Sequence, residues 1–544
     1  MSVAAERTGG LRGAGRVTGA RTGGTGGTGG AGGSGAAGGA KGPWGPLATA
    51  GAPRGTGGAA PFLLWAAAAL LVVLMVLVVG RLPWDGDLGM HAATLERLRH
   101  RLLDPGNPLV DENTPSPYYS PWTVFLGVVA RVTGLSVWAV LRIGALTGLT
   151  LLVTGVWRYV RALSAHPLAP PLALLCLVLL WGTHVFKWSG FLGLNSLALT
   201  VAYPSVFALG LAFHFWALLT GALRERPPRW LPFLGLGAIW AVMLLSHQFT
   251  GVVATLGALA TVAGARAGRR AWPRLGAGAA LGAAVLVLWP YYDFFALLRA
   301  DELESIHQPL YRDLLARHWL VLLGIVALAA RARRDRRDPL AVFFLLGAVV
   351  FAAGGLTGHC SWGRALPAAV VPAQLAVAVE VAGAARGRSR TAGAVLLAGA
   401  LAAGAWTQAQ TVGYVTGPGA LPGVVAAKYQ VPWAGYRWIT PWVRYGDVVM
   451  ARTFPARQIP AYGAYTVAPG YPDFFLPDAG AREAAVRTYF GAGASRGERI
   501  GVLRSYGVRW VVQEPSGGGL PAGDGTLRRV AAGPDGQVLY EVLR

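Results

Sequence analysis

The stretch Arg81–Leu109, "RLPWDGDLGMHAATLERLRHRLLDPGNPL", sets two aspartates, Asp85 and Asp87, a few residues beyond a long apolar run. Carboxylates at such a place are costly if they face lipid. Facing water at a membrane surface, they are able to take a proton from an attacking hydroxyl. Asp87 also precedes a helical pattern in which Leu88, Leu95, Leu98 and Leu102 fall near one stripe. It therefore qualifies as an N-cap, whose oxygen accepts the first free N–H groups of that helix, and the two roles are compatible. His91 stands one turn after Asp87 on the same face, where the pair can share a proton, a hydroxyl or a cation.

A second polar patch, "VDENTPSPYYSPW" (Val110–Trp122), holds Asp111, Glu112, Tyr118 and Tyr119. It reads either as a solvated turn-rich loop or as a wall that contacts a sugar, with aromatic faces for the ring and carboxylates for its hydroxyls. Three further side chains are suited to an anion: Arg364 in "SWGRALP", Arg299 in "LLRADELES" and His247 in "LLSHQF". A cation near the membrane surface can hold an anion, although snorkelling to lipid headgroups is the ordinary use of such arginines. The formal G-x-G-x-x-G at Gly24–Gly29 lies in a Gly/Thr repeat with no strand before it and no helix after it, so it carries no nucleotide-binding meaning.

The elements that position these residues follow from hydropathy. The 544 residues are 54% hydrophobic and only 13% charged, against about 25% charged in soluble domains. Residues 1–60 form a Gly-rich tail with too few apolar groups to bury. About eleven apolar runs follow between 61 and 410, the first at 61–80 and the last at 391–410, which makes the fold mainly α: a polytopic transmembrane helix bundle. The net charge of +23 is concentrated in short loops, a pattern that fits anionic lipid rather than nucleic acid. Arginine clusters follow the second, fourth, sixth, eighth and tenth runs, among them Arg224–Arg229, Arg266–Arg274 and "RARRDRRD" at 331–338. Those exits are expected inside the cell, with the N-terminus inside and the first loop, 81–135, outside. "PWTVFLGVVARVTGL" (121–135) is too short to cross and reads as an interfacial helix.

Residues 411–544 regain aromatics, prolines and charges and read as a small extracytoplasmic α/β domain. A strand is expected near 445–453 and in "VRWVVQEP", helices in "AREAAVRTYF" and "RGERIGVLRSYG", and a hairpin turning at Pro534-Asp535-Gly536. This segment has no Ser/His/Asp order, P-loop or His pair; its "PGYPDFFLPD" loop (469–478) is placed to fold over a membrane-side cavity.

"DGDLGMH" after a first membrane helix, the "GNPL" turn, "YYSPWTVFLGVVARVTGL", "LLSHQFTGV", "GHCSWGRALPAAVVP" and "YGVRWVVQEP" together resemble the GT-C type of integral-membrane glycosyltransferase, including bacterial relatives of protein mannosyltransferases and arabinofuranosyltransferases. The resemblance covers most of 61–544. It implies an inverting enzyme of the plasma membrane that moves a sugar from a polyprenyl phosphate to an envelope glycan, lipid or protein on the extracytoplasmic face. It implies a catalytic carboxylate at Asp87, with Asp85 second, and leaves the cofactor undefined, a divalent cation being one option. An envelope-lipid transporter or flippase and a non-catalytic scaffold are the rival classes; a transporter should show ionisable groups deep in its spans and paired repeats.

Overall fold

The computed structural model describes residues 59–299, 304–385, 387–515 and 517–543. The Gly-rich tail, apart from its last two residues, lies outside them.

The chain enters through α1 (Ala59–Arg81), whose 23 residues carry no charge before Arg81 and extend about 35 Å, enough for a bilayer. Its outer face presents Phe62, Leu63 and Leu70 uncovered, the surface a lipid-facing helix needs. Next come α2 (Leu88–His100), α3 (Pro121–Thr133), α4 (Val137–Leu163), α5 (Ala169–Leu179), the short α6 (Leu194–Leu199), α7 (Pro204–Arg224), α8 (Leu231–Ser246), α9 (Gln248–Ala265) and α10 (Trp272–Val287). Apolar helices at Leu314–Arg334, Pro339–Thr357 and Cys360–Gly383 follow, and then a pair, Arg390–Thr407 and Ala409–Thr416, bent by 53°.

Among the described residues seven helices are long and apolar enough to cross a membrane, or eight if the bent pair is one span, rather than the eleven the hydropathy suggests. The difference has a local cause. The runs at 169–186 and 275–292 stop being helical at Leu179 and Val287, leaving helices of 11 and 16 residues, and the run at 231–247, helical over Leu231–Ser246, is itself only 16 residues long. Arg224 bonds the Ala162 carbonyl, and Arg266 faces Asp335, so the arginine-rich exits gather at one end. α3 has 13 residues, about 20 Å, and is short of a span; Ser120 caps its start and Gly134, at φ +69°, ends it.

The C-terminal segment builds a five-stranded sheet in the order β2-β1-β3-β5-β4, from β1 (Val448–Met450), β2 (Tyr465–Thr466), β3 (Trp510–Gln513), β4 (Leu527–Ala532) and β5 (Val538–Val542). β1 pairs in parallel with β2 and β3, and β5 runs antiparallel to β3 and β4. The two expected helices form at Ala479–Phe490 and Arg496–Ser505, the latter opened by a Ser495/Glu498 capping box.

This α/β unit is joined to the loop that follows α1. Arg97, on α2, is fully buried; its guanidinium donates to the Gly463 carbonyl at 2.8 Å and the Ala464 carbonyl at 2.6 Å and stacks 3.6 Å from the Tyr465 ring centre. The Thr466 N–H donates to Leu109 O and the Trp433 N–H to Trp84 O. Met90, Ala93, Leu109 and Val110 share one apolar cluster with Tyr471 and Leu476. Asn107, in the "GNPL" turn, is buried and donates to the Asp473 carboxylate at 2.7 Å. Gly89 packs so tightly on the Arg457 carbonyl that a Cβ there would collide with it.

Arg97→Met should therefore destabilise the protein by about 3 kcal/mol, since two buried carbonyls lose a charged donor. Thermal melting in detergent and faster proteolysis within 411–544 would register the change. An unchanged melting temperature would show that the α/β unit is held by other contacts.

Candidate functional site

One cavity of about 540 Å³ lies where the arginine-poor ends of the bundle meet the α/β unit. It is lined by Asp85, Asp87, His91 and Tyr118 from the first loop, by Lys187, Trp188 and Ser189 after α5, by Tyr203 before α7, and by His247 and Phe249 at the α8–α9 junction. His307 and Arg364 contribute from later exits, and Trp433, Arg457 and Tyr471 from the C-terminal segment. These positions lie between apolar runs or at their edges, and the loops that carry them converge on one chamber.

The two aspartates point to different partners because of the glycine between them. Gly86 adopts φ +54°, a left-handed conformation that favours glycine, and a Cβ there would sit 3.2 Å from the Tyr203 hydroxyl. Its carbonyl accepts from Tyr471 Oη at 2.8 Å, and the Asp85 carbonyl accepts from Tyr203 Oη at 2.5 Å. The turn sends the Asp85 carboxylate to Lys187 Nζ, 2.7 Å away. Asp87 occupies the N-cap position of α2 but makes no capping bond with its side chain, which instead lines the cavity. Burial pushes its carboxyl above the usual carboxylate range, while the Arg364 and Arg457 charges pull it down and Asp85 raises it further.

Across the chamber is a corner rich in donors. Arg364 is buried; its Nη2 donates to Ser189 Oγ at 2.9 Å, and its guanidinium lies 4.6 Å from the Phe249 ring centre. His247 caps α9: its Nδ1 accepts the Thr250 N–H at 3.2 Å. Its Nε2 lies 3.3 Å from Arg364 Nη2 and 3.5 Å from Ser189 Oγ. The guanidinium, the hydroxyl and the imidazole form a polar corner that an anion completes. Gly190, at φ +83°, keeps the wall thin here; a Cβ would lie 3.3 Å from His247. Glu304 holds the turn that carries Arg364, accepting from the Ser361 hydroxyl at 2.7 Å and the Ser361 N–H at 2.9 Å.

His91 is buried with no hydrogen-bond partner at Nδ1, edge-on to Tyr203 at 4.8 Å, and burial lowers its pKa to about 3. It is neutral at physiological pH. Burial likewise keeps the Tyr118 phenol protonated.

Of the residues singled out by sequence, Asp85, Asp87, His91, Tyr118, His247 and Arg364 meet in this cavity. Asp111, Glu112 and Tyr119 do not. Asp111 is exposed. Glu112 pairs with Arg482 of the α/β unit. Tyr119 is buried, and its hydroxyl donates to the Gly106 carbonyl at 2.8 Å. The side chain of Arg299 lies outside the described residues, as do Asp301 and Glu302. Lys187, Trp188 and Ser189 were legible as a polar, aromatic "KWSG" break after an apolar run on the same side as Asp87; Arg457 gave no local signal. Among the described residues no three His, Cys, Asp or Glu side chains gather as metal ligands do, and the Asp85 carboxylate is paired with Lys187.

No protein-family model matches the sequence, and no curated protein does. Solved structures do. The structure of ArnT from Cupriavidus metallidurans in the apo state superposes with a TM-score of 0.52 at 15% identity, over 89% of this chain and 98% of that one. Arabinofuranosyltransferase AftD from Mycobacteria superposes with a TM-score of 0.56 at 16% identity, over 89% of this chain but only 40% of AftD. The chain thus shares the fold of these solved structures, that of the GT-C integral-membrane glycosyltransferases.

Proposed function

We propose that this protein is an inverting glycosyltransferase of the plasma membrane that moves a sugar from a polyprenyl-phosphate donor to a hydroxyl of an envelope acceptor on the extracytoplasmic face. The observation that carries the reading is the presence, in one cavity, of Asp87, a carboxylate that makes no capping bond, and the Arg364–His247–Ser189 corner. The acceptor oxygen attacks the anomeric carbon, its proton passes to Asp87, and the bond from that carbon to the phosphate oxygen breaks on the opposite face. The departing lipid phosphate carries the electron pair and is received by the Arg364 guanidinium, with Ser189 and His247 beside it. A carboxylate whose proton affinity is raised by burial is a better base for a weakly acidic hydroxyl than a solvated one. Asp85, held by Lys187, shapes the site through that ion pair. Trp188, Tyr203 and Tyr471 offer ring faces on which a sugar packs while its hydroxyls find polar groups. The arginine clusters close behind the even-numbered runs favour an outward-facing cavity at the other end. The likeness to an arabinofuranosyltransferase makes a polyprenyl-phosphate arabinofuranose a donor to include in any panel.

Reconstituted protein, given a panel of radiolabelled polyprenyl-phosphate sugars and envelope acceptors, should transfer at least one of them, and Asp87→Asn should lower that rate by about 10²–10⁴. Absence of transfer from every donor, or a fully active Asp87→Asn, would sink the proposal. The variant should not lose transfer by unfolding. An aspartate whose folded pKa is raised contributes stability only at low pH, and that contribution is lost as pH climbs through the folded value. At neutral pH Asp87→Asn should melt at or above the wild-type temperature.

The same shift sets a pH dependence. Asp87 must be ionised to act, so transfer should fall on the acid side as pH drops through its raised pKa. Arg457 pulls that value down, so Arg457→Gln should move the acid limb of kcat/KM to higher pH. A limb that stays in place would show that another group governs it.

A further inference from the structure

A second cavity, of about 720 Å³, lies between α7, α8, α9 and α10, at the other end of the bundle from Asp87. Helix α9 connects the two: it starts at His247 and ends at Arg266, 18 residues or about 27 Å away. Phe215, Phe233, Trp240, Leu259 and Trp272 line the second cavity, and the polar pair on its wall, Trp240 Nε1 and Thr255 Oγ1, is bonded to itself at 2.7 Å. Such a space offers water no partners and offers alkyl chains a fitted surface. It is also built in. Gly237 and Gly278 let α8 and α10 meet backbone to backbone, so a Cβ on Gly237 would collide with the Gly278 carbonyl. At the rim stand Arg266 and Arg337, both exposed; Arg266 keeps a 3.8 Å contact with Asp335 yet is 56% accessible.

We infer that this cavity binds an anionic diacyl phospholipid from the leaflet opposite the catalytic chamber, its acyl chains between α8, α9 and α10 and its phosphate against Arg266 and Arg337. Charge complementarity at the rim favours this occupant over a zwitterionic lipid. The placement, a full helix length from the Arg364 corner, separates it from the donor lipid. The inference does not depend on the transfer reaction.

Native mass spectrometry of the full chain in mild detergent, incubated separately with phosphatidylglycerol, phosphatidylcholine and undecaprenyl phosphate, tests it. Wild type should retain one phosphatidylglycerol in preference to phosphatidylcholine. The double variant Arg266→Gln/Arg337→Gln should weaken that retention by about 30-fold, the product of two arginines acting on a phosphate at the membrane surface. Ala279→Phe, which fills the cavity without touching the arginines, should exclude the lipid at unchanged helical circular dichroism. Equal retention of the two phospholipids, variants that hold lipid as wild type does, or an arginine-dependent preference for undecaprenyl phosphate would each overturn it.

Discussion

The fully buried guanidinium of Arg97 ties the first loop to the α/β unit, and the rest of the site depends on that tie. A charge taken wholly out of water is tolerated only where its donors are met. Here two are met by the carbonyls of Gly463 and Ala464, and an aromatic ring covers the plane. The bond fixes α2 against residues more than three hundred positions away in the chain. Once α2 is fixed, so are the turn before it and the two aspartates in that turn.

From that anchor the chamber acquires its roof. Tyr471 reaches the Gly86 carbonyl, and Arg457 presses its own backbone onto Gly89 while its charge acts on Asp87. The α/β unit is thus part of the cavity wall and not an appendage beside it. The "PGYPDFFLPD" loop supplies Tyr471, Pro472 and Phe474 to that wall, while Asp473 turns away to bind Asn107. The "DGD" pattern acquires its meaning in the same place. An adjacent pair of aspartates would send both carboxylates into one neighbourhood, where like charges raise each other's proton affinity. A left-handed glycine between them gives one to Lys187 and leaves the other facing Arg364 and His247.

The two ends of the bundle divide the chemistry. One end gathers Asp87, the donor corner and the ring faces; the other gathers arginines, the Arg331–Asp338–Glu380 ion network and the apolar cavity.

Hydropathy and strand patterning alone determined the helical class and the small C-terminal sheet, because apolar periodicity and turn residues are local properties of a segment. They also exposed Asp87, His91, His247 and Arg364 as polar groups at run ends, where lipid contact is costly. They overcounted the long helices, since an apolar run does not say where its helix will unwind. Sequence could not separate Tyr118, which lines the cavity, from Tyr119 beside it, which is spent on a backbone carbonyl. Neither could it show that Glu112 would pair with Arg482, or that Arg457 would bear on Asp87. The Glu112 and Arg457 assignments rest on contacts between segments hundreds of residues apart, and only the packing of the folded chain decides which of two similar side chains meets a partner and which is left facing the cavity.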